Sequence, residues 1–221
     1  MGTLSIIVPT YNRKEILRRT LEAYGRQSAR EDILEVLVVD DGSKDGTEEV
    51  VRACIKESPV VIRYLRQENR GLSAARNHGI REARGSLVLF GDDDIIPAPD
   101  LVGQHVEWHH RHPDPSMAAL GKIAWAPELR PTPFMKWLGL DRVDRVKSSD
   151  KRLDFTEVLF ANTSLKPEFL RENGLFDEDF RAYGCEDFDL GYRLNQKGMQ
   201  MFCIPGAVGY HYKRVSFCEA C

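Results

Sequence analysis

Three adjacent carboxylates, Asp92-Asp93-Asp94, follow the apolar run Leu87 to Phe90 with one glycine between. Like charges repel, and no Lys or Arg lies within several residues to neutralise them. A hard divalent ion with oxygen ligands, Mn2+ or Mg2+, answers such a charge, and these ions commonly bridge to phosphate. The bland alternative is a solvated acidic turn, because Asp is frequent in turns. Asp40-Asp41-Gly42-Ser43 is a second acidic loop, able to accept a base N–H or ribose hydroxyls, or else a charged turn. Glu186-Asp187 is a third acidic group, at a predicted helix start where the dipole favours carboxylates. His105 and His109 stand at i,i+4 within Pro99 to His112, a zinc-compatible spacing, but no Glu of the His-Glu-x-x-His type joins them. They read as part of a solvated helix.

The elements around these groups explain why they could meet. Leu4 to Val8, Leu34 to Val39, Val60 to Leu65 and Leu87 to Phe90 are short apolar runs that read as buried strands. Helical periodicities separate them: Ile16, Leu17, Thr20, Leu21 and Tyr24; then Val50, Val51, Cys54 and Ile55; then Leu72 to Ala83. Asn12-x-x-Glu15 resembles a capping box before the first helix. Strand and helix alternating over about ninety residues imply right-handed crossovers and a parallel sheet covered on both faces. Three loops, Pro9-Thr10-Tyr11-Asn12, Asp40 to Ser43 and Asp92 to Asp94, should then gather at the carboxyl ends of the strands, where open α/β sheets bind ligands.

The second half is less regular. Helices are predicted over Pro99 to His112, Pro167 to Asn173 and Cys185 to Gln196, and strands over Met117 to Trp125, Phe155 to Leu165, Met201 to Ile204 and Val208 to Tyr212. Ala126 to Asp150 reads as a long loop with one short helix. Its Phe134-Met135-Lys136-Trp137-Leu138 stretch could stack a sugar ring, grip a peptide or, over 134–147, touch a membrane face. A small satellite core under the loop is the plainer reading.

Composition bounds the rest. The 221 residues, 42% hydrophobic and 29% charged, suit one large α/β domain. Its amino-terminal half is 1–98 and its second half 99–221. The net charge of −3 supplies no global basic field for nucleic acid, and no apolar stretch spans a bilayer. Five scattered cysteines read as the reduced thiols of a cytoplasmic protein, with Cys218-x-x-Cys221 an incomplete zinc half-site.

Taken together, the spacing is specific. Val8-Pro9-Thr10-Tyr11-Asn12, Val38-Val39-Asp40-Asp41-Gly42-Ser43, Asn69-x-Gly71-x-Ser73-x-Ala75-Arg76-Asn77 with Gly79, Phe90-x-Asp92-x-Asp94, and Gly184-x-Glu186-Asp187-x-Asp189-Leu190 with Arg193 resemble, in this order, the family 2 glycosyltransferases of GT-A fold. The resemblance implies a nucleotide-sugar donor, UDP before others, a divalent metal, and inverting transfer to a saccharide, lipid-linked or peptide acceptor. It implies that Pro9, Thr10, Tyr11 and Asp41 line the base, and that Arg76 reaches base or phosphates. Asp92 would face ribose or metal and Asp94 would ligate metal, with Asp93 able to take either role because the triplet's register is open by one. Asp187 would be the general base, Glu186 would position the acceptor or support the helix, and Asp189 would face away. His211 would complete the metal shell. Relatives carry more chain beyond Ser216-Phe217-Cys218, which suggests a truncated carboxyl end. The rivals are a sugar nucleotidyltransferase, whose glycine-rich loop is replaced here by Pro9 to Asn12, and a non-catalytic sugar-nucleotide-binding module.

Overall fold

The computed structural model describes residues 3–138, 152–181 and 184–213. The predicted tail cysteines, 139–147 of the acceptor loop and Ser216 to Cys218 lie outside them.

The amino-terminal half alternates as expected: β1 (Leu4–Thr10), α1 (Lys14–Gly25), β2 (Ile33–Asp40), α2 (Thr47–Glu57), β3 (Ile62–Arg66), α3 (Leu72–Glu82) and β4 (Leu87–Gly91). β5 (Ile95–Pro97), α4 (Leu101–Arg111), β6 (Met117–Trp125), α5 (Pro133–Leu138), β7 (Asn162–Leu165), α6 (Pro167–Asn173), α7 (Glu186–Gln196) and β8 (Gln200–His211) follow. One eight-stranded sheet runs in the order β3-β2-β1-β4-β7-β6-β8-β5. β1 pairs in parallel with both β2 and β4, β7 is antiparallel to β4 and β6, and β8 is parallel to β6. This is the mostly parallel sheet with a mixed second half that the GT-A resemblance implies.

Strand pleating sorts the core into two layers. Ile7, Leu37, Val39, Val88 and Phe90 join one cluster with Ile80 of α3 and Leu190 and Leu194 of α7. Ile6, Val8, Val36, Val38 and Leu89 join the other with Leu17 and Leu21 of α1, Val51 of α2 and Val102 of α4. Near-continuous apolar strands are the signature of a sheet covered on both faces. Pro9 is tolerated in the centre of the sheet because β1's pairing with β4 runs only from Leu4 to Ile7, while β2 continues beside it to Thr10.

Four local expectations change. Asn12 does not cap α1: its φ of 53° is left-handed and its Oδ1 accepts from Lys44 N at 2.8 Å, while Asp45 Oδ2 accepts from Lys14 N at 3.2 Å. A short polar side chain tolerates that backbone and serves the neighbouring loop instead. Phe155 to Leu165 is a strand only from Asn162, because Asp154 caps a 3-10 turn at Phe155–Glu157. The two expected last strands are one, β8, whose register against β6 shifts between Gly121 and Lys122. β5 is only three residues long and escaped the periodicity reading.

His105 and His109 are also not solvated. At 0% and 6% exposure, both bond to Ser164 Oγ, at 2.7 and 2.9 Å, and His105 Nε2 lies 3.0 Å from Asn162 Oδ1. Burial pushes their pKa values down to about 4 and about 3, so they are neutral pins between α4 and β7.

Gly91 carries the chain from β4 into the carboxylates, and a Cβ there would collide with the hydroxyl of buried Tyr24. Gly91→Ala is expected to destabilise the fold by about 1–3 kcal/mol through overpacking. Urea unfolding checks this, and an unchanged midpoint would contradict the packing.

Candidate active site

The sheet order reverses between β1 and β4. β2 and β3 lie on one side of β1 and β4 on the other, so the crevice beyond their carboxyl ends is a topological switch point. The three expected loops do gather there. Thr10 Oγ1 donates to Asp93 Oδ2 at 2.8 Å, Asp41 N donates to Thr10 O at 3.0 Å, and Asn12 N donates to Ser43 Oγ at 2.8 Å.

The turn between β4 and β5 then distributes the triplet. Phe90 faces the α3–α7 layer, and Asp92, two residues on, keeps to that side: its Oδ1 lies 3.3 Å from Arg76 Nη2. Asp93 turns to the α1 side, where its carbonyl accepts from Thr20 Oγ1 at 2.8 Å and its carboxylate from Thr10 and Arg13. Asp94 meets the end of β8. Its carbonyl accepts from Tyr212 N at 2.8 Å, its Oδ1 lies 3.4 Å from His211 Nε2, and its Oδ2 accepts from Arg13 Nη1 at 2.5 Å.

The triplet therefore does have protein cations, contrary to what the local sequence suggests. They come from Arg13, some eighty residues earlier, and from Arg76. Sequence distance hid Arg13, whose signal was a basic residue directly after the Thr-Tyr-Asn loop.

Arg76 sits at 1% exposure and does not reach into open solvent. Nη1 contacts Asp187 Oδ1 at 2.8 Å and Glu186 Oε1 at 3.6 Å, and the guanidinium lies 5.2 Å from the Phe176 ring centroid. Burial alone would lower its pKa, and Asp187, Asp92 and Glu186 more than reverse this. Asn77, one residue on, clamps the segment carrying Phe176 by donating to Phe176 O at 2.8 Å and accepting from Phe176 N at 2.9 Å.

Glu186 and Asp187 occupy the first turn of α7, as expected. Asp187 Oδ2 also accepts from Phe160 N at 3.1 Å, and Glu186 Oε2 from Gly184 N at 2.9 Å. Burial raises the Asp187 pKa, with Glu186 adding to the rise and Arg76 opposing it. Asp189 is bonded instead to Arg193, at 2.7 Å.

Asp41 Oδ1 accepts from Gln67 Nε2 at 2.8 Å and Arg70 N at 2.9 Å, and Oδ2 from Gly71 N at 2.8 Å, so this carboxylate shapes the loop leading into α3. Thr10 and Pro9 are buried, whereas Tyr11 is 46% exposed beside them.

His211 Nδ1 is buried without a hydrogen-bond partner, and its ring lies 5.2 Å from that of Trp125. Among the described residues, no three His, Cys, Asp or Glu side chains form a ready cage for an ion. The pair Asp94 Oδ1 and His211 Nε2 is nonetheless spaced like adjacent ligands of an octahedral ion, which sit about 3 Å apart, and such ions take only one or two protein ligands when phosphates supply the rest. A cleft of about 430 Å3 opens beside them, lined in part by Arg13, Lys14, Asp94, Tyr212 and Lys213.

Residues 5–137 match the model of glycosyl transferase family 2. The chain belongs to that family. It is 36% identical over 224 residues to validoxylamine A glucosyltransferase of Streptomyces hygroscopicus subsp. limoneus, covering 90% of this chain and 49% of that protein. It is 32% identical over 240 residues to chondroitin synthase of Escherichia coli, covering 94% and 34%. The chain thus spans about half, or less, of the length of these relatives. Among solved structures, the mannosyltransferase PcManGT of Pyrobaculum calidifontis, in complex with GDP-Man and Mn2+, superposes with a TM-score of 0.74 at 26% identity, covering 95% of this chain and 56% of that one. GalNAc-T7 with UDP, GalNAc and Mn2+ shares the fold, with a TM-score of 0.77 at 20% identity, covering 98% and 45%. No helix among the described residues is long and apolar enough to cross a membrane.

Two outcomes follow from the charges. Arg76→Met would leave buried Glu186 and the part-buried Asp92 and Asp187 without their cation, and is expected to cost about 2–4 kcal/mol in urea unfolding at pH 7; a loss below 1 kcal/mol would contradict the ion pairing. Burial and the neighbouring Asp94 raise the folded-state pKa of Asp92 to about 6 and of Asp93 to about 7, from 3.8. The folded chain then binds more protons than the unfolded chain between these values. The stability contributed by the two groups is highest below about pH 4 and falls as pH rises to about 7. In chelator-treated protein, Asp93→Asn should flatten that slope, and an unaltered slope in unfolding series from pH 4 to pH 7 would exclude Asp93 as its source.

Proposed function

We propose that this chain transfers a sugar from a nucleotide-sugar donor to a saccharide acceptor, with inversion at the anomeric carbon and with a divalent ion, Mn2+ or Mg2+. The observation that carries the reading is the convergence of Asp92, Asp94 and Asp187 at the β1–β4 switch point, with Arg76 joining the donor-side carboxylate to the one on α7. UDP is the favoured nucleotide from the sequence motifs. The likeness to a GDP-Man complex makes GDP the competitor to test beside it.

In this reading Tyr11, the exposed member of its loop, stacks on the base, while Thr10, Pro9 and Asp41 set the shape of the nucleoside pocket. Asp94 and His211 would hold the metal, and Asp92 would face the ribose or the metal. Asp93, held between Thr10 and Arg13, shapes the turn rather than binding metal. The ion would offset negative charge on the departing nucleoside diphosphate. Asp187 accepts the proton of the attacking acceptor hydroxyl. Its burial raises its proton affinity toward the range a base needs, while Arg76 and Phe160 N keep it ionised and aimed. On the acceptor side, Phe134 and Trp137 of α5 stack at 5.9 Å, and Trp137 is 79% exposed. Trp125 Nε1 donates to Met135 O at 3.1 Å, so the indole beside His211 also anchors this aromatic pair, a surface suited to a pyranose ring.

Calorimetric titration of UDP and GDP with Mn2+ tests the donor site: Asp94→Ala should abolish metal-dependent binding in protein whose circular dichroism shows it still folded, and retained affinity would refute the assignment. Asp187→Asn should leave nucleotide-sugar affinity intact and lower kcat by roughly two to four decades. Activity should be lost at low pH through a limb lying above the ordinary aspartate value, absent in the variant. Asp189→Asn should do far less, because Asp189 is engaged with Arg193; the reverse ranking would overturn the role of Asp187.

A further inference from the structure

The geometry points to Arg13 as a built-in competitor for the divalent ion, so that metal and nucleoside diphosphate bind cooperatively. This rests on the donor-site reading above and adds an order of events to it.

Arg13 Nη1 spans Asp93 Oδ1 at 3.1 Å and Asp94 Oδ2 at 2.5 Å. The two carboxylates are 6% and 9% exposed and held by further bonds, whereas the Arg13 side chain is 40% exposed. The partner free to move is therefore the guanidinium. Its backbone is fixed: Asn12 is tied to Ser43 and Lys44, and Lys14 N to Asp45. Only the side chain needs to swing.

Asp94 has one oxygen toward His211 and the other on Arg13. A divalent ion arriving at the His211 side meets a carboxylate whose charge is already shared with a guanidinium, and the two cations repel across a few ångströms. Arg13 also lines the open cleft with Lys14 and Lys213. A diphosphate there offers the guanidinium stronger, bidentate anionic partners than one shared nitrogen on two carboxylates. The diphosphate thus frees Asp94 while contributing oxygens to the ion. Coupling of this kind is reciprocal: nucleotide tightens metal by the same factor as metal tightens nucleotide.

The experiment is calorimetry on the full chain with Mn2+ alone, UDP alone, and each in the presence of the other. Arg13→Met should bind Mn2+ alone roughly tenfold tighter, the scale of one charged hydrogen bond released, and the factor by which UDP tightens Mn2+ should shrink by about the same tenfold, leaving the part that the diphosphate's own oxygens supply. Lys44→Met removes the same charge from an exposed position on the adjoining loop and should change either quantity by less than about twofold. Arg13→Lys, which keeps the charge but not the planar fork, should fall between the wild type and Arg13→Met, and guards against misfolding of the Met variant. If Mn2+ and UDP bind the wild type but Arg13→Met holds Mn2+ alone no more tightly, or Lys44→Met does as much, the competitor role is overturned and the donor site stands. If the wild type binds neither Mn2+–UDP nor Mn2+–GDP, both fall.

Discussion

A guanidinium at 1% exposure is costly to bury, and Arg76 stays ionised because carboxylates reach it from two separate parts of the chain. Asp92 arrives at the end of β4, and Glu186 and Asp187 arrive at the start of α7. Such a cluster is a poor device for stability, since well-packed apolar groups would serve as well. It makes sense as a way of holding two carboxylates of different function at a fixed separation. Phe176 closes the guanidinium from below, and the ring is itself set by Asn77 from α3. One buried cation thereby fixes the relation between the β4 loop and the helix that carries the candidate base.

The remaining charge is divided by the turn that follows β4, from which the three carboxylates leave toward different partners. Asp92 is neutralised by Arg76 and Asp93 by Arg13, while Asp94 is shared between Arg13 and His211. Burial and mutual repulsion push Asp92 and Asp93 upward, whereas His211 and Arg13 hold Asp94 below the ordinary value despite its burial. Of the three, Asp94 combines an ionised carboxylate with an adjacent imidazole nitrogen, which is why the metal role is proposed for it.

The amino-terminal half was legible because its signals are local. Leu4 to Val8, Leu34 to Val39 and Leu87 to Phe90 are apolar runs bounded by turn residues, and their loops had to converge once the sheet was parallel. Asp187 was found through motif order, and its place in the first turn of α7 agrees with the expectation. What sequence could not supply was long-range pairing. Nothing near Asp92 to Asp94 foretells Arg13, and nothing near His105 and His109 foretells that β7 would bury them against Ser164 and Asn162. Asn12 failed as a cap for the same reason: its partner, Lys44, belongs to another loop. The merged strand β8 was missed because Pro205-Gly206 reads as a break, yet the ladder to β6 continues across a register shift.

A divalent ion and a nucleotide are proposed to share the end of β4 with His211. Paramagnetic Mn2+ reports its own location, because it broadens proton resonances steeply with proximity. With UDP present, substoichiometric Mn2+ should erase the imidazole signals of His211 while leaving those of His110, on the exposed side of α4, sharp. A His211 spectrum that survives Mn2+–UDP while another histidine is lost would place the ion elsewhere and contradict the account.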